Sequence, residues 1–171
     1  MKSLKKSNTY KSPEDIVNDL NKAFDLLFKE NEKSKARFYH IVIKGTDAKH
    51  DRDLTFVLTN KLFNRLNKET STNLEVLNYI FVVEYSKVHS LGLRVCDDLG
   101  MHSHIAISST LPKELIQFYI QSAFPKVKDI WFDDVSKNQN IEGLRGYFLK
   151  QTRNNNLFTN GSYNYKINYS N

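Results

Sequence analysis

The segment 77–86, with the sequence LNYIFVVEYS, carries the strongest strand pattern in the chain. β-Branched and aromatic residues dominate it, and these residue types favour extended backbone in a partly buried sheet. A connection near 87–100 follows, and then a second extended segment at 101–108. We expect the two segments to pair as antiparallel strands with a long connection, which makes an antiparallel sheet the centre of the fold.

Periodic apolar residues predict helices on either side of these strands. Ser12, Pro13 and the acids at 14 and 15 are typical of a helix start, with a capping side chain, proline in the first turn and negative charge near the N-terminus. The alternation of helices and strands predicts an α+β fold, an antiparallel sheet flanked by helices and close to the split βαβ pattern. The predicted helices cover about 13–32, 51–68, 111–123 and 139–153, and the predicted strands cover about 38–44, 77–86, 101–108 and 127–132.

The chain divides into three parts by composition. Residues 1–12 are expected to form a flexible basic arm, residues 13–153 a single folded domain, and residues 154–171 an irregular tail rich in Asn and Tyr. Trp131, in the last predicted strand, is expected to fill the core.

The charge and cysteine content narrow the possible partners and location. The net charge of +6 and the pI near 9.3 favour an anionic partner, and no acid follows Glu142. Charge alone does not separate a solvated surface with basic ends from a surface that binds phosphates. The single Cys96 excludes an internal disulfide, and no apolar run is long enough to cross a membrane. We therefore expect a cytoplasmic protein.

The chain contains a His-x-His pair, His102 and His104, on a predicted strand. Side chains alternate along a strand, so two imidazoles two residues apart lie on the same face and can reach one metal ion. A metal that activates a phosphate needs at least one further ligand, and Glu84 is the best candidate. It lies in an apolar run on the preceding strand, where it can face either histidine. The alternatives are a hydrogen-bonded role for the histidines and a solvent or ion-pair role for Glu84.

A second pattern, Tyr147-x-x-Lys150-Gln151, lies on the last predicted helix. Residues three and four apart share a helix face, so Lys150 and Gln151 lie beside Tyr147. A phenol with a pKa near 10 is a weak nucleophile at neutral pH, and adjacent positive charge favours its ionised form. Gln151 is an alternative third metal ligand to Glu84. A tyrosine here could also belong to the core.

These features, in this order, resemble the HUH endonuclease superfamily, and most closely its single-tyrosine initiators of rolling-circle replication. The resemblance covers about 37–151, with a hydrophobic strand at 38–43 as its first motif. It implies His102, His104 and Glu84 as ligands of Mn²⁺ or Mg²⁺, Tyr147 as nucleophile and Lys150 as an assisting residue. It also implies an antiparallel sheet flanked by helices. Ser103 stands where the family has an apolar side chain, which predicts less burial at that position.

The leading hypothesis is therefore an enzyme that nicks and rejoins single-stranded DNA at a replication origin through a 5′-phosphotyrosine. We expect Lys44, Arg145 and Arg153 to contact the DNA. No nucleotide-binding glycine loop occurs, so a helicase and a host polymerase would be separate partners. A transposase or relaxase of the same superfamily is an alternative.

Two further hypotheses belong to other classes. One is a non-catalytic module that binds single strands through rings on its sheet, at Phe38, Tyr79, Phe81 or Tyr85. The other is a small phosphoesterase with His40 and His104 as its acid–base pair.

Overall fold

The computed structural model describes residues 12–33, 35–44, 46–48, 51–73, 75–86, 100–127, 129–136, 141–149 and 164–168. At 13, 28–33, 51, 84–86, 100–101, 141–142, 147 and 164–168 it describes the backbone alone. None of the helices in these ranges is both long and apolar enough to cross a membrane.

A five-stranded antiparallel sheet forms the centre of the molecule, with the strand order β4-β1-β3-β2-β5. The strands β2 and β3 pair as predicted, and every other pairing in the sheet is antiparallel too. The predicted α+β class and antiparallel sheet are therefore confirmed. The strands are β1 (Arg37–Ile43), β2 (Leu77–Ser86), β3 (Gly100–Ser109), β4 (Ile130–Asp134) and β5 (Asn164–Asn168).

One helix precedes β1, and the other helices of the described residues connect β1 to β2, β3 to β4 and β4 to β5. The first begins at the predicted position, where the Ser12 hydroxyl accepts a hydrogen bond from the Asp15 N–H, and the Asp15 carboxylate accepts one from the Ser12 N–H. This reciprocal cap satisfies two backbone donors that a helix start leaves open. The second predicted helix extends further than expected, to residue 73, and contains a π-helical turn at Val57–Phe63. The helices are α1 (Pro13–Lys33), α2 (Asp51–Phe56), α3 (Asn64–Asn73), α4 (Lys113–Ala123) and α5 (Ile141–Leu149).

Two separate apolar cores cover the two faces of the sheet. Alternation along β3 directs Ile105 and Ile107 to one face and Ala106 to the other. The first face packs against α2, the π-helical turn, α3 and α4. The second packs against α1 and α5, with Phe24 and Phe148 among its members. The sheet is thus enclosed between two helical layers, as predicted.

The fifth strand was not predicted. Residues 154–171 were expected to be irregular, whereas Asn164–Asn168 pairs with β2 and extends the sheet on that side. The prediction is wrong for these five residues. Asn, which is depleted in strands, stands at both ends of this segment, while Tyr165 and Ile167 favour extended backbone; pairing with the edge of β2 orders the five residues as a strand.

Candidate functional site

The site is centred on β3, where His102 and His104 lie on the face covered by α1 and α5. Both are buried, at 2% and 8% exposure, and their ring centroids are 5.3 Å apart with planes at 77°. The prediction that strand alternation would put both imidazoles on one face is confirmed. Two adjacent buried imidazoles form a site that could hold a cation from one side.

Ser103, between the two histidines, lies on the opposite face. It is fully buried, and its hydroxyl donates a hydrogen bond of 3.0 Å to the Val82 carbonyl. The prediction of reduced burial at this position is wrong. A buried hydroxyl is tolerated once it is hydrogen-bonded, and the carbonyl of the neighbouring strand meets that need.

Glu84 pairs with His102 in the register of β2 and β3. Directly opposed residues of an antiparallel pair lie on the same face of the sheet, so the backbone position of Glu84 is next to the histidine pair. This register was one of the two that the sequence allowed. The Glu84 side chain and the whole of Gln151 lie outside the described part of the chain. Among the side chains that are described, no three from His, Cys, Asp and Glu form a metal-binding group.

A third histidine, His40 of β1, completes a cluster with the pair. Its Nε2 lies 3.4 Å from Nδ1 of His104, and the two rings stack with centroids 5.6 Å apart. Burial lowers the pKa of His40 to about 4, so it is neutral at pH 7. A neutral imidazole has one N–H and one acceptor nitrogen, which allows one ring of the pair to donate to the other. The sequence indicated His40 only in the phosphoesterase alternative.

The lowered pKa of His40 disfavours that alternative. A general acid or base is most effective when its pKa lies near the working pH; with a pKa of about 4, His40 holds almost no proton to donate at pH 7 and is a weak base. The contact between His40 and His104 is therefore better suited to orienting a ring than to transferring a proton.

The helix α5 covers the histidine cluster through Phe148. The Phe148 ring is fully buried, with its centroid 5.9 Å from that of His40 and 6.1 Å from that of His104. It also meets the Phe24 ring of α1 edge to face at 4.9 Å. Tyr147 directly precedes Phe148, so its backbone belongs to the turn of helix that packs on the histidines. The Tyr147 side chain, Lys150 and Arg153 lie outside the described part of the chain.

Arg145 ties α5 to α1. Its guanidinium donates to the Asp25 carboxylate at 2.7 Å and to the Asn21 side-chain oxygen at 3.3 Å. The side chain is mostly buried, whereas Asp25 is exposed. The ion pair gives Arg145 a structural role, which is to hold α5 against α1. The predicted contact between Arg145 and DNA stays a prediction.

Trp131 lies beside the cluster and is not part of the core. It is 46% exposed on the edge strand β4, and its ring meets that of His40 edge to face at 4.9 Å. Val42 of β1 is paired with both Trp131 and His104, which puts the indole two strands from the histidine pair. The expectation of a core tryptophan is wrong because β4 forms an edge of the sheet. No sequence pattern marks β4 as an edge.

Lys44 and several aromatic residues of the sheet were also predicted to contact nucleic acid. Lys44 directly follows Ile43, which pairs with Ser103, and its N–H donates to the Asp129 carbonyl at 3.0 Å. It therefore lies at the same end of the sheet as His102.

The rings of Phe38, Tyr79 and Phe81 are buried, so they cannot stack on a nucleobase. The side chain of Tyr85 is not among those described.

Comparison of the chain with protein-family models, with curated proteins and with solved structures gave no match. A function for this protein is therefore argued from the residues of the histidine site and their geometry.

Proposed function

We propose that this protein is a metal-dependent endonuclease that nicks and rejoins single-stranded DNA to start rolling-circle replication, as its resemblance to HUH endonucleases implies. One observation carries the proposal. The face of the sheet that holds His102 and His104 is also the face on which α5, with Tyr147, is packed. A nucleophile and a metal site must be neighbours for this chemistry, and in the sequence they are 43 residues apart, 147 minus 104.

The donors at the site fit a divalent metal. Imidazoles bind metals only in the neutral form, and carboxylates add affinity for Mn²⁺ and Mg²⁺. His102 and His104 would hold the ion together with Glu84, whose position is opposite His102, or with Gln151. A bound Mn²⁺ or Mg²⁺ would polarise the scissile phosphate and neutralise part of its charge. His40, in contact with Nδ1 of His104, would fix the orientation of that ring.

Tyr147 would act as the nucleophile. Its phenol oxygen forms a bond to the scissile phosphorus as the bond from phosphorus to the 3′ oxygen breaks. The phenol proton is lost, and the leaving oxygen gains a proton to become a free 3′-hydroxyl. The product is a 5′-phosphotyrosine that keeps the energy of the phosphodiester, so a later 3′-hydroxyl reverses the step and closes the strand without ATP. Lys150 would stabilise the negative charge on the phosphate.

Two described residues support a single-stranded substrate. Trp131 presents a half-exposed ring next to the cluster, and aromatic rings stack on unpaired bases of any sequence. Lys44 carries positive charge at the same end of the sheet as His102, where a phosphate would pass. The free 3′-hydroxyl would prime a host polymerase, and a separate helicase would unwind the duplex.

The test is the formation of a covalent adduct between the protein and labelled single-stranded DNA in the presence of Mn²⁺. We expect the wild-type protein to form the adduct and Tyr147→Phe to form none. Tyr119→Phe is a matched control, because it removes the same atom from a residue of α4, which packs on the opposite face. An adduct of equal yield from Tyr147→Phe would remove the nucleophile and refute the mechanism.

Binding measurements separate the remaining alternatives. A non-catalytic module would bind single strands equally well in EDTA and with His102→Ala, and would form no adduct. A transposase of the same superfamily would form the adduct but join the strand to a different site, whereas a relaxase, like a replication initiator, would reclose the strand that it nicked. Sequencing of the joined products therefore distinguishes a transposase from the other two enzymes.

A further inference from the structure

A polar cavity lies toward the end of β3 that is opposite to the His102 and His104 pair. It is formed where β1 begins, β3 ends and α4 begins, and its volume is about 350 Å³. Arg37 and Ser109, which are paired in the sheet, both line it, whereas His102 is near the opposite end of β3. The cavity also opens on the other face of the sheet, since its Tyr39 belongs to the core under α2, α3 and α4.

The hydroxyl of Tyr39 has no hydrogen-bond partner, although the residue is fully buried. Its ring packs against Phe132, with centroids 5.0 Å apart, while its hydroxyl is near the charged groups that line the cavity. Arg37 approaches the hydroxyl closely enough to lower its pKa, without completing a hydrogen bond of ordinary geometry. Burial raises the pKa of Tyr39 more strongly, and Asp134 and Glu114 raise it too. A buried hydroxyl without a partner is costly unless a ligand meets it.

The start of α4 contributes backbone donors to the same cavity. The helix has 11 residues, and Pro112 at its cap position offers no side-chain hydrogen bond. The Leu115 and Ile116 N–H groups both donate to the Pro112 carbonyl, so the backbone donors that this helix start can offer a ligand are those of Lys113 and Glu114. The helix dipole favours an anion at this end.

The charge around the cavity is mixed and net positive. Lys35, Arg37 and Lys113 line it together with Glu114, and Asp134 lies 3.8 Å from the Arg37 guanidinium. Three cations against two carboxylates leave one positive charge in excess. A neutral ligand would gain little from this arrangement, whereas an anion with several oxygens could accept from the phenol, the guanidinium and the helix start together.

We propose that this cavity binds a phosphoryl group, which accepts hydrogen bonds from Tyr39, Arg37 and the first N–H groups of α4. A phosphoryl group offers oxygens in several directions, and the planar fork of arginine matches two of them. The phosphoryl group belongs either to a free nucleotide or to the backbone of nucleic acid. The cavity is distinct from the proposed nuclease site, and the inference does not depend on that function.

The test is isothermal titration calorimetry of the full chain in EDTA with three probes: inorganic phosphate, deoxyadenosine monophosphate and a short DNA duplex. We expect Tyr39→Phe to weaken binding by about 10- to 100-fold, because it removes a hydrogen bond to a charged group. The same variant should keep or raise the melting temperature, because it removes an unpaired buried hydroxyl while the ring remains. A purely structural tyrosine would show no loss of affinity. Lys113→Gln should also weaken binding.

Two control variants make the result specific. Lys68→Gln removes a charge from an exposed position on α3 away from the cavity and should bind as the wild type does. His102→Ala should bind phosphate normally, which separates this site from the nuclease site. Binding of the duplex assigns the ligand to nucleic acid, and binding of only the two small probes assigns it to a free nucleotide. The proposal is overturned if no probe binds, if Tyr39→Phe binds as tightly as the wild type, or if Lys68→Gln loses as much affinity as Lys113→Gln.

Discussion

Phe148 links the packing of α5 to the histidine site, and its replacement by leucine tests both. The ring is fully buried, in edge contact with Phe24 and within about 6 Å of two imidazoles, centroid to centroid. Leucine keeps most of the volume, which by itself costs less than about 1.5 kcal/mol. Loss of the aromatic pair adds about 0.5–1.5 kcal/mol. We expect Phe148→Leu to lower the free energy of unfolding by about 1–2 kcal/mol.

Urea unfolding followed by circular dichroism measures this loss. Phe118→Leu on α4 is the matched control, because Phe118 is 64% exposed and its replacement should change stability by less than about 0.5 kcal/mol. A double-mutant cycle with Phe24→Leu should give a coupling of about 1 kcal/mol, the share that belongs to the ring pair. Equal losses from Phe148→Leu and Phe118→Leu would refute the idea that Phe148 anchors α5.

The same variant should slow the proposed chemistry more than it weakens metal binding. A misplacement of a reacting group by about 1 Å can reduce a rate by about 100-fold, and α5 carries Tyr147. We therefore expect Phe148→Leu to form the DNA adduct at least about tenfold more slowly, with Mn²⁺ affinity close to that of the wild type. A normal adduct rate in a clearly destabilised Phe148→Leu protein would show that the position of α5 does not control the reaction.

Three further predictions follow from the described residues and the proposed site. Burial raises the pKa of Tyr79 to about 12, whereas the pKa of a tyrosine in the unfolded chain is near 10. Above pH 10 the folded protein therefore keeps a proton that the unfolded chain loses, and the free energy of unfolding falls as the pH rises. Tyr79→Phe should remove about 2 kcal/mol of that loss between pH 10 and 12 in urea unfolding, and an unchanged pH dependence would contradict the assigned burial. Trp131→Leu should weaken the binding of single-stranded DNA about tenfold in fluorescence anisotropy and leave duplex binding unchanged, whereas equal losses for both would rule out base stacking. Glu84→Ala should abolish Mn²⁺ binding measured by electron paramagnetic resonance, with Gln151→Ala binding normally; the reverse result would assign the third ligand to Gln151.

The parts of the fold that depend on local alternation were predictable from sequence. The apolar run of β2 and the period of two around His102 and His104 specify a strand pair and the face that the imidazoles occupy. The cap at Ser12 predicted the start of α1, because it depends on residues only three positions apart. In each case the pattern that predicts the feature lies within one strand or between close neighbours in sequence.

The features that the sequence did not predict depend on which strands are neighbours. The contact of His40 with His104 requires the register between β1 and β3, which no local pattern specifies. Trp131 is half-exposed because β4 forms an edge, and β5 exists because β2 offers an open edge to an Asn-rich segment. Pairing between strands that are distant in sequence decided all three features.

The two faces of the sheet differ in a way that stability alone does not explain. On the face under α2, α3 and α4, β3 contributes Ile105 and Ile107 to the apolar core, and its buried Ser103 is hydrogen-bonded to the Val82 carbonyl. On the face under α1 and α5, three buried positions are imidazoles, and burying a polar ring costs free energy that an aliphatic side chain would not. The three buried histidines all lie on the side where α5 brings the backbone of Tyr147 to the sheet. A sheet selected only for packing would not bury three imidazoles on one face, so the histidine face is where a binding or catalytic role best accounts for the sequence.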